Sequence, residues 1–412
     1  MVGRRVVVTG IGLVSPVGTG IEPFWTALVE RRPGVRRITR FDASTHVCQV
    51  AGEIDDSLFT PLIHPRKLRT ASRASQLGLA ATSLALEQAG WDRPPYSPER
   101  VGTMIGTALG GWTDTEKQFA ILLERGARRV NPFIANASPP HASGGEIATH
   151  VGARGPQLTF SNGCPASLLA IGHAVESIAR GELDGAVAGG VETPLSPLVF
   201  AGMGRTHELS RRLDPAAEAC RPFDLDHDGM VLSEGACILV LEAEELAKAG
   251  GRASRGTLLG IGSSCDAVGL FDLAPDGVAA GKAIHQACER AGIAPGGIDA
   301  ICAHANGSPA FDRKEAVVIR HAFGSQADRL PVSSIKGVLG HPFGAAGAFQ
   351  VAAALTMIDR QTVVPTANLV APATDCALAH VIGSPLNVPL GHMLVTSYGY
   401  GGVNGALIVG HV

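Results

Sequence analysis

Short runs of β-branched and small apolar residues alternate along this chain with longer, alanine-rich runs whose apolar positions recur at helical spacing. The stretches RVVVTGIG (5–12), RVGTMIGTAL (100–109), QLTFSNG (157–163), GAVAGGVE (185–192) and CILVLEA (237–243) are too short and too continuously apolar for surface helices, and read as buried strands. ASQLGLAATSLALEQAG (74–90) and PASLLAIGHAVESIARG (165–181) carry the 3–4 residue period of helices and stop at glycine. The theme returns after residue 256: TLLGIGSSC reads as a strand, GVAAGKAIHQACERAG as a helix, and IDAICAHANG as a strand with its loop. LPVSSIKGVLGHPFGAAGAFQVAAALTMI then reads as strand, glycine-rich loop and helix, the same layout as the segment around residues 157–181. The pattern predicts α/β layers around mostly parallel strands, in two related halves. The small, charged, glycine-containing stretch AGGRASRG (249–256) marks the join, giving halves 1–252 and 253–412.

Composition narrows the classes of function. A chain of 412 residues with 45% apolar and 17% charged residues can bury large cores, and its 52 glycines fit close helix–strand packing and tight turns. The formal charge of −3 gives no electrostatic reason for nucleic acid or an anionic membrane as partner, and the cluster Arg36, Arg37 and Arg40 reads as a solvated surface. The charged start MVGRRVVVTGIGLVSPVG resembles a signal peptide only until Gly10, Gly12 and Pro16 interrupt it, and no apolar stretch reaches the ~20 residues of a membrane span. A cytoplasmic protein is expected. Eight dispersed cysteines without a CxxC support neither a zinc knuckle nor a disulfide framework. The glycines of GTALGG and GYGGVNG do not fit the dinucleotide fingerprint, and there is no GxxxxGK[ST].

Candidate chemistry gathers at four positions. A cysteine in so apolar a chain is commonly a small hydrophobe. Cys164, however, follows a strand and Asn-Gly, and precedes Pro165 and a helical run. A thiol at a helix N-terminus is favoured as thiolate, and free backbone N–H groups there can hold an oxyanion. His304 in ICAHANGSP and His341 in SSIKGVLGHPFGAAG both sit in loops that follow strands, with Lys336 five residues before the second. Either histidine is also compatible with local loop hydrogen bonding, and His173 on the Cys164 helix reads as a packing residue. One cysteine and two separated histidines lack local metal-ligand spacing, whereas thiolate–imidazole sets suit acyl chemistry. The aspartates of RPFDLDHDG (221–229) lack the calcium-loop spacing and read as structural.

These residues, taken with VVVTGIGLVSPVG, GTALGG, RGPQLTF, VAGGVE, CRPFDLDHDGMVLSEGACILVLE and TSYGYGGVNGALIV in order along nearly the whole chain, resemble the β-ketoacyl-acyl-carrier-protein synthases of the thiolase superfamily. The similarity is to the elongating type that serves fatty-acid and type II polyketide assembly. The resemblance implies a thiolase-like five-layer α-β-α-β-α fold, a dimer of identical or related subunits, and acyl carrier protein as partner. It implies Cys164 as the acylated nucleophile, His304 and His341 as the groups that assist malonyl decarboxylation, and Lys336 as their electrostatic support. The backbone N–H groups of Cys164 and Tyr400 would hold the acyl oxygen. No metal or organic cofactor is implied, because substrates arrive on phosphopantetheine and decarboxylation drives the reaction.

Departures from the family pattern are specific. The usual HGTxTP loop reads His304-Ala305-Asn306-Gly307-Ser308-Pro309 here, leaving Asn306 and Ser308 to bind the pantetheine arm. Gly163 stands where alanine is common. Gln350 replaces a glutamate that usually pairs with the lysine, which leaves Lys336 to Glu315 or to a different placement; Asp312 and Glu315 keep the D-x-x-E spacing. Tyr400 replaces a gating phenylalanine, and Leu109 and Met203 join it as expected lining of the acyl pocket. Such drift raises a second reading, a non-elongating partner subunit like a chain-length factor, or an atypical acyltransferase; retention of Cys164, His304, His341 and Lys336 favours a condensing enzyme. A thiolase is disfavoured because SYGYGGVNG lacks its second cysteine.

Overall fold

The computed structural model describes residues 3–411. Ten strands form one path through a mixed sheet: β1 (Val6–Ser15), β2 (Val101–Gly106), β3 (Gln157–Phe160), β4 (Gly185–Glu192), β5 (Gly235–Ala243), β6 (Thr257–Cys265), β7 (Ala300–Cys302), β8 (Val332–Ser333), β9 (His392–Tyr398) and β10 (Val403–Gly410). Their spatial order is β8-β7-β9-β10-β6-β1-β5-β4-β2-β3, and the two-residue strand Gly18–Thr19 adds to β1. From the outer edge inward, both sets of five strands run third, second, fourth, fifth, first. The directions repeat as well, since β2 is parallel to β3 and β4, and β7 to β8 and β9, with antiparallel pairs completing each set. The two sets meet where β1 and β6 pair antiparallel, Val6 opposite Leu258 and Val7 opposite Thr257.

Helices α1 (Arg73–Ala89), α2 (His141–Val151), α3 (Ala166–Ala179), α4 (Val278–Ala291), α5 (Pro309–Phe323) and α6 (Ala346–Arg360) supply the remaining layers. Helix α1 starts where the Ser72 side chain accepts the Ser75 N–H and ends at Gly90, whose left-handed φ of 68° releases the chain. It packs with α2 on the outer face of the first strand set, α4 and α5 cover the outer face of the second, and α3 and α6 lie together between the two. This is the expected α-β-α-β-α order. Strand residues split by their period of two: Ile238 and Val187 face the outer core under α1, Leu239 and Val395 the central core around α3 and α6, and Leu394 and Ile301 the outer core under α4. Both faces of the strands are thus buried, as their continuous apolar runs require. Among the described residues no helix is long and apolar enough to cross a membrane.

The layers bring four loops together. Cys164 follows β3, His304 follows β7, Lys336 and His341 follow β8, and the 399–402 turn joins β9 to β10. Side chains beyond the C-terminal ends of parallel strands, from opposite halves of the chain, therefore meet over the paired central helices.

Candidate active site

Cys164 sits at a sharp turn between β3 and α3. Gly163 makes the turn with φ of 76°, a conformation that disfavours any side chain. Pro165 already has helical dihedrals, one residue ahead of the helix proper. The 399–402 turn comes so close that a Cβ on Gly399 would stand 2.8 Å from Pro165 Cδ and 3.3 Å from the Cys164 nitrogen. The backbone N–H groups of Cys164 and Tyr400 take no partner elsewhere in the protein among the described residues. They border the same small space.

The thiol is buried, and its Sγ lies 3.1 Å from His341 Nε2. The imidazoles of His304 and His341 meet edge to face with centroids 5.3 Å apart, and one donor atom from each histidine and the cysteine sulfur all lie within 4.8 Å of one another. One sulfur and two imidazoles would also suit a thiophilic divalent cation by donor type. His304 Nε2 is buried without a partner, while its Nδ1 is 3.5 Å from the Ser397 hydroxyl. Burial, reinforced by the Lys336 charge, holds both imidazoles well below their usual pKa, so they are neutral bases and N–H donors near neutral pH. Burial pushes the Cys164 thiol up to about 12, opposed by Lys336. The helix N-terminus and Lys336 favour the thiolate against that burial, and His341 is the base in contact with the thiol.

Lys336 is fully buried and donates to the His304 carbonyl oxygen. Burial pushes its pKa down to about 8, and the carboxylate of Glu315 is the main opposing influence. No ion pair joins them; Glu315 instead accepts from Thr396 Oγ1 (2.8 Å), the Ala305 N–H (3.1 Å) and Tyr398 Oη (3.3 Å). Gln350 does not touch Lys336. Its Nε2 donates toward the carbonyls of Cys302 (3.2 Å), Ala303 (2.9 Å) and Thr396 (3.0 Å), tying β7 to β9 beneath His304. Asp312 clamps the histidine loop: Oδ1 accepts the Asn306 and Gly307 N–H groups, and Oδ2 accepts the Phe223 N–H and lies 2.9 Å from His227 Nδ1. That clamp ties in the RPFDLDHDG segment, where Arg221 donates to Asp224, and Asp224 accepts the Val370 N–H. The segment is a hydrogen-bonded brace.

A cavity of about 330 Å³ opens above the thiol. Cys164 and Phe343 form its buried end, Leu109, Met203 and Tyr400 its half-buried middle, and Phe271 an exposed rim. Leu109, Met203 and Tyr400 thus meet at one pocket. Asn306 and Ser308 do not line it: Asn306 Oδ1 accepts the Ser308 N–H, and the Ser308 hydroxyl donates at 2.6 Å to Glu208. Two carboxylates matter here that sequence reasoning passed over. Glu208 lines the pocket, five residues beyond Met203 in GMGRTHELS. Glu192 is fully buried, its pKa pushed up to about 7 by burial, and it accepts N–H groups from Ala108 (2.6 Å), Leu109 (3.1 Å) and Gly344 (2.9 Å). It fixes two pocket walls and helps hold Phe343 at its strained φ of 30°. The acid ending GAVAGGVE, within a buried strand, was the available signal.

Residues 3–247 match the family described as beta-ketoacyl synthase, N-terminal domain, and residues 255–370 its C-terminal domain. The chain is 35% identical over 401 residues to 3-oxoacyl-[acyl-carrier-protein] synthase 2 of Synechocystis sp., covering 97% of this chain and 96% of that protein. It is 35% identical over 415 residues to the putative polyketide beta-ketoacyl synthase 1 of Streptomyces cyaneus, covering 98% of each. Among solved structures, the type II polyketide complex AntDE:AntF, an acyl-carrier protein with its ketosynthase bound to the hexaketide, superposes with a TM-score of 0.91 at 29% identity over the whole of both chains. The ishigamide ketosynthase/chain length factor superposes with a TM-score of 0.92 at 30% identity, again over the whole of both chains.

Proposed function

Since the chain belongs to the β-ketoacyl synthase family through both its halves, we propose that it performs a decarboxylative Claisen condensation, extending a carrier-bound fatty acyl or polyketide chain by two carbons. One observation carries this reading: a buried thiol in contact with a neutral imidazole, with a second, unpartnered imidazole nitrogen beside it, at the foot of an apolar pocket.

In the first stage His341 Nε2 receives the Cys164 proton as the sulfur attacks the acyl thioester carbonyl. The carbonyl oxygen, negative in the tetrahedral intermediate, takes hydrogen bonds from the Cys164 and Tyr400 backbone N–H groups. The arm's C–S bond breaks, the arm leaves as a thiol with that proton, and the acyl group stays on Cys164. In the second stage a malonyl thioester enters and its C–C bond to the carboxylate breaks. Carbon dioxide departs and the electron pair becomes an enolate, whose oxygen accepts hydrogen bonds from His304 Nε2–H and from His341, whose single proton moves through solvent from Nδ1 to Nε2 once the acylated sulfur no longer needs a base. The enolate carbon attacks the Cys164 thioester, the enzyme C–S bond breaks, and a proton from solvent restores the thiol. Burial, reinforced by the field of Lys336, keeps both imidazoles neutral, which preserves them as hydrogen-bond donors to an anion without making them acids. Asn306 and Ser308 support the arm's path from behind Glu208, Asp312 and Gln350 hold the His304 loop, and Leu109 and Met203 bound the acyl chain.

The partners follow from the chemistry and the relatives. An acyl carrier protein delivers both substrates, and the working unit is a dimer with a second copy or a related chain-length-factor subunit, as in the ketosynthase complexes with which this chain superposes. We place the division of the chain at 252/253, with the nucleophile in the first half and the histidines in the second. Eight free cysteines support a cytoplasmic setting. The test is intact-mass spectrometry after incubation with acyl- and malonyl-carrier proteins, beside Cys164→Ala. The expected result is an acyl adduct on the wild type alone and a carrier-bound β-keto product. Absence of both, with a candidate partner subunit supplied, would overturn the condensing-enzyme reading in favour of a silent subunit.

A further inference from the structure

The pocket above Cys164 is mostly apolar, and Glu208 brings a carboxylate to it beside the hydroxyl-bearing Thr206 and Tyr400. Glu208 Oε2 already accepts the Ser308 hydroxyl at 2.6 Å, a short charge-assisted bond that fixes the carboxylate in place. Apart from the nearby Tyr400 hydroxyl, the carboxylate faces no other protein donor among the described residues, and it lines the cavity. Tyr400 is the near neighbour: its buried hydroxyl has no partner at ordinary hydrogen-bond distance, and Glu208 acts on it both as the leading charge and as a nearby acceptor. The carboxylate therefore stands on the wall of a pocket that runs from the exposed rim at Phe271 to the buried thiol, held from behind by Ser308 and flanked by the Tyr400 hydroxyl.

A pantetheine arm that reaches the thiol crosses this wall and loses water as it does so. It carries two secondary amides, and an amide N–H moved out of water without an acceptor is costly. The two residues that sequence suggests for this task do not line the pocket: Asn306 Oδ1 accepts within its own loop while its Nδ2 is buried without a partner, and Ser308 donates to Glu208. We propose that Glu208 is a positioning residue that accepts an amide N–H of the incoming pantetheine arm, with Ser308 aiming its carboxylate from behind. This rests on the condensing-enzyme reading and adds to it how this chain holds the arm with an altered histidine loop. Glu208 then contributes to arrival of arm-borne thioesters and nothing to the reactivity of the thiol.

The experiment measures Cys164 acylation by intact mass with two acetyl donors, acetyl-pantetheine, which has two amides, and S-butyl thioacetate, which has none. Wild type, Glu208→Ala and Glu208→Gln are compared, and iodoacetamide alkylation of Cys164 reports fold and thiol in each. The wild type is expected to favour acetyl-pantetheine. Glu208→Ala is expected to cut that preference about ten-fold or more, the worth of a hydrogen bond to a charged acceptor, with S-butyl thioacetate and iodoacetamide rates unchanged. Glu208→Gln keeps a neutral acceptor and is expected to fall between, and it decides the matter if the alanine variant does not fold. Acylation with the preference intact in the variants, or with both esters slowed equally, overturns the proposal alone. A wild type acylated by neither ester but by an acyl-carrier protein overturns the proposal alone, whereas one acylated by none of the three, with a candidate partner subunit supplied, overturns the condensing-enzyme reading and the proposal with it.

Discussion

Lys336→Met is expected to make the protein more stable and nearly inactive, and the size of the first effect can be worked from the burial of the ammonium. The lysine is pushed from its ordinary 10.5 to about 8 because burial outweighs the attraction of Glu315. At about 1.4 kcal/mol per pH unit, folding with this charge in place costs about 3 kcal/mol at neutral pH. Methionine has nearly the same length and no charge, so it relieves that cost. It also loses the bond to the His304 carbonyl, worth about 1 kcal/mol, leaving a net gain of about 2 kcal/mol. The sign of the pH dependence is fixed. The folded lysine has the lower pKa, so its penalty is present in full below pH 8 and fades as pH rises toward 10.5. Urea unfolding of wild type and variant at pH 7 and pH 9.5 should show the variant's advantage shrinking by about 2 kcal/mol, to near zero. Glu315, pushed up to about 7 by its own burial, adds the mirror-image penalty, which grows from pH 4.5 to 7. Activity should fall steeply because the charge that reinforces burial in keeping both imidazoles neutral, and that opposes the raised pKa of the Cys164 thiol, is gone. A variant less stable than wild type at pH 7, or an advantage that does not change with pH, would refute the reasoning.

The two histidines should separate by stage: His341→Ala, which removes the group touching the thiol, should slow Cys164 acylation at least 100-fold, whereas His304→Ala should still acylate and fail at malonyl decarboxylation, read as carbon dioxide release. Equal loss of both stages in both variants would contradict the division of labour. Gln350→Glu exchanges a donor facing three carbonyl oxygens for a carboxylate facing them, and should lower stability by about 3 kcal/mol, measured as a lower urea midpoint in low-salt buffer, with partial recovery when a cation able to sit in that oxygen cage is added. An unchanged midpoint would show that the amide does not hold the loop. Phe343→Ala enlarges the closed end of the pocket and should shift the acyl chain accepted on Cys164 to longer lengths, whereas Leu109→Trp should shorten it; competition among acyl donors, read by mass, checks both.

The division between what the chain announces and what it withholds follows the range of the interactions concerned. The strand and helix runs, the join between halves and the four chemical side chains depend on local pattern: a period of two or of 3–4, a glycine at a turn, a histidine just past a strand. Those reach the reader directly, and the repeated strand order explains why two stretches 170 residues apart look alike. The electrostatics of the site depend on what folding brings to each group from afar. A thiol at a helix N-terminus reads as activated, but the burial that pushes it up to about 12 and the imidazole from the other half that touches it come only with the fold. Gln350 reads as a lost partner for the lysine, yet its amide faces three carbonyls that a bare carboxylate would repel. Asn306 and Ser308 keep hydrogen-bonding atoms and read as arm-binding, yet neither lines the pocket, and the fold sets Glu208, 100 residues before Ser308, between that serine and the pocket. Each of these substitutions is compensated by a neighbour in space rather than in sequence. The drift around the histidine loops is accordingly compatible with a working site, because Lys336, Glu315, Asp312 and Glu208 form one connected shell around a thiol and two imidazoles that remain in contact.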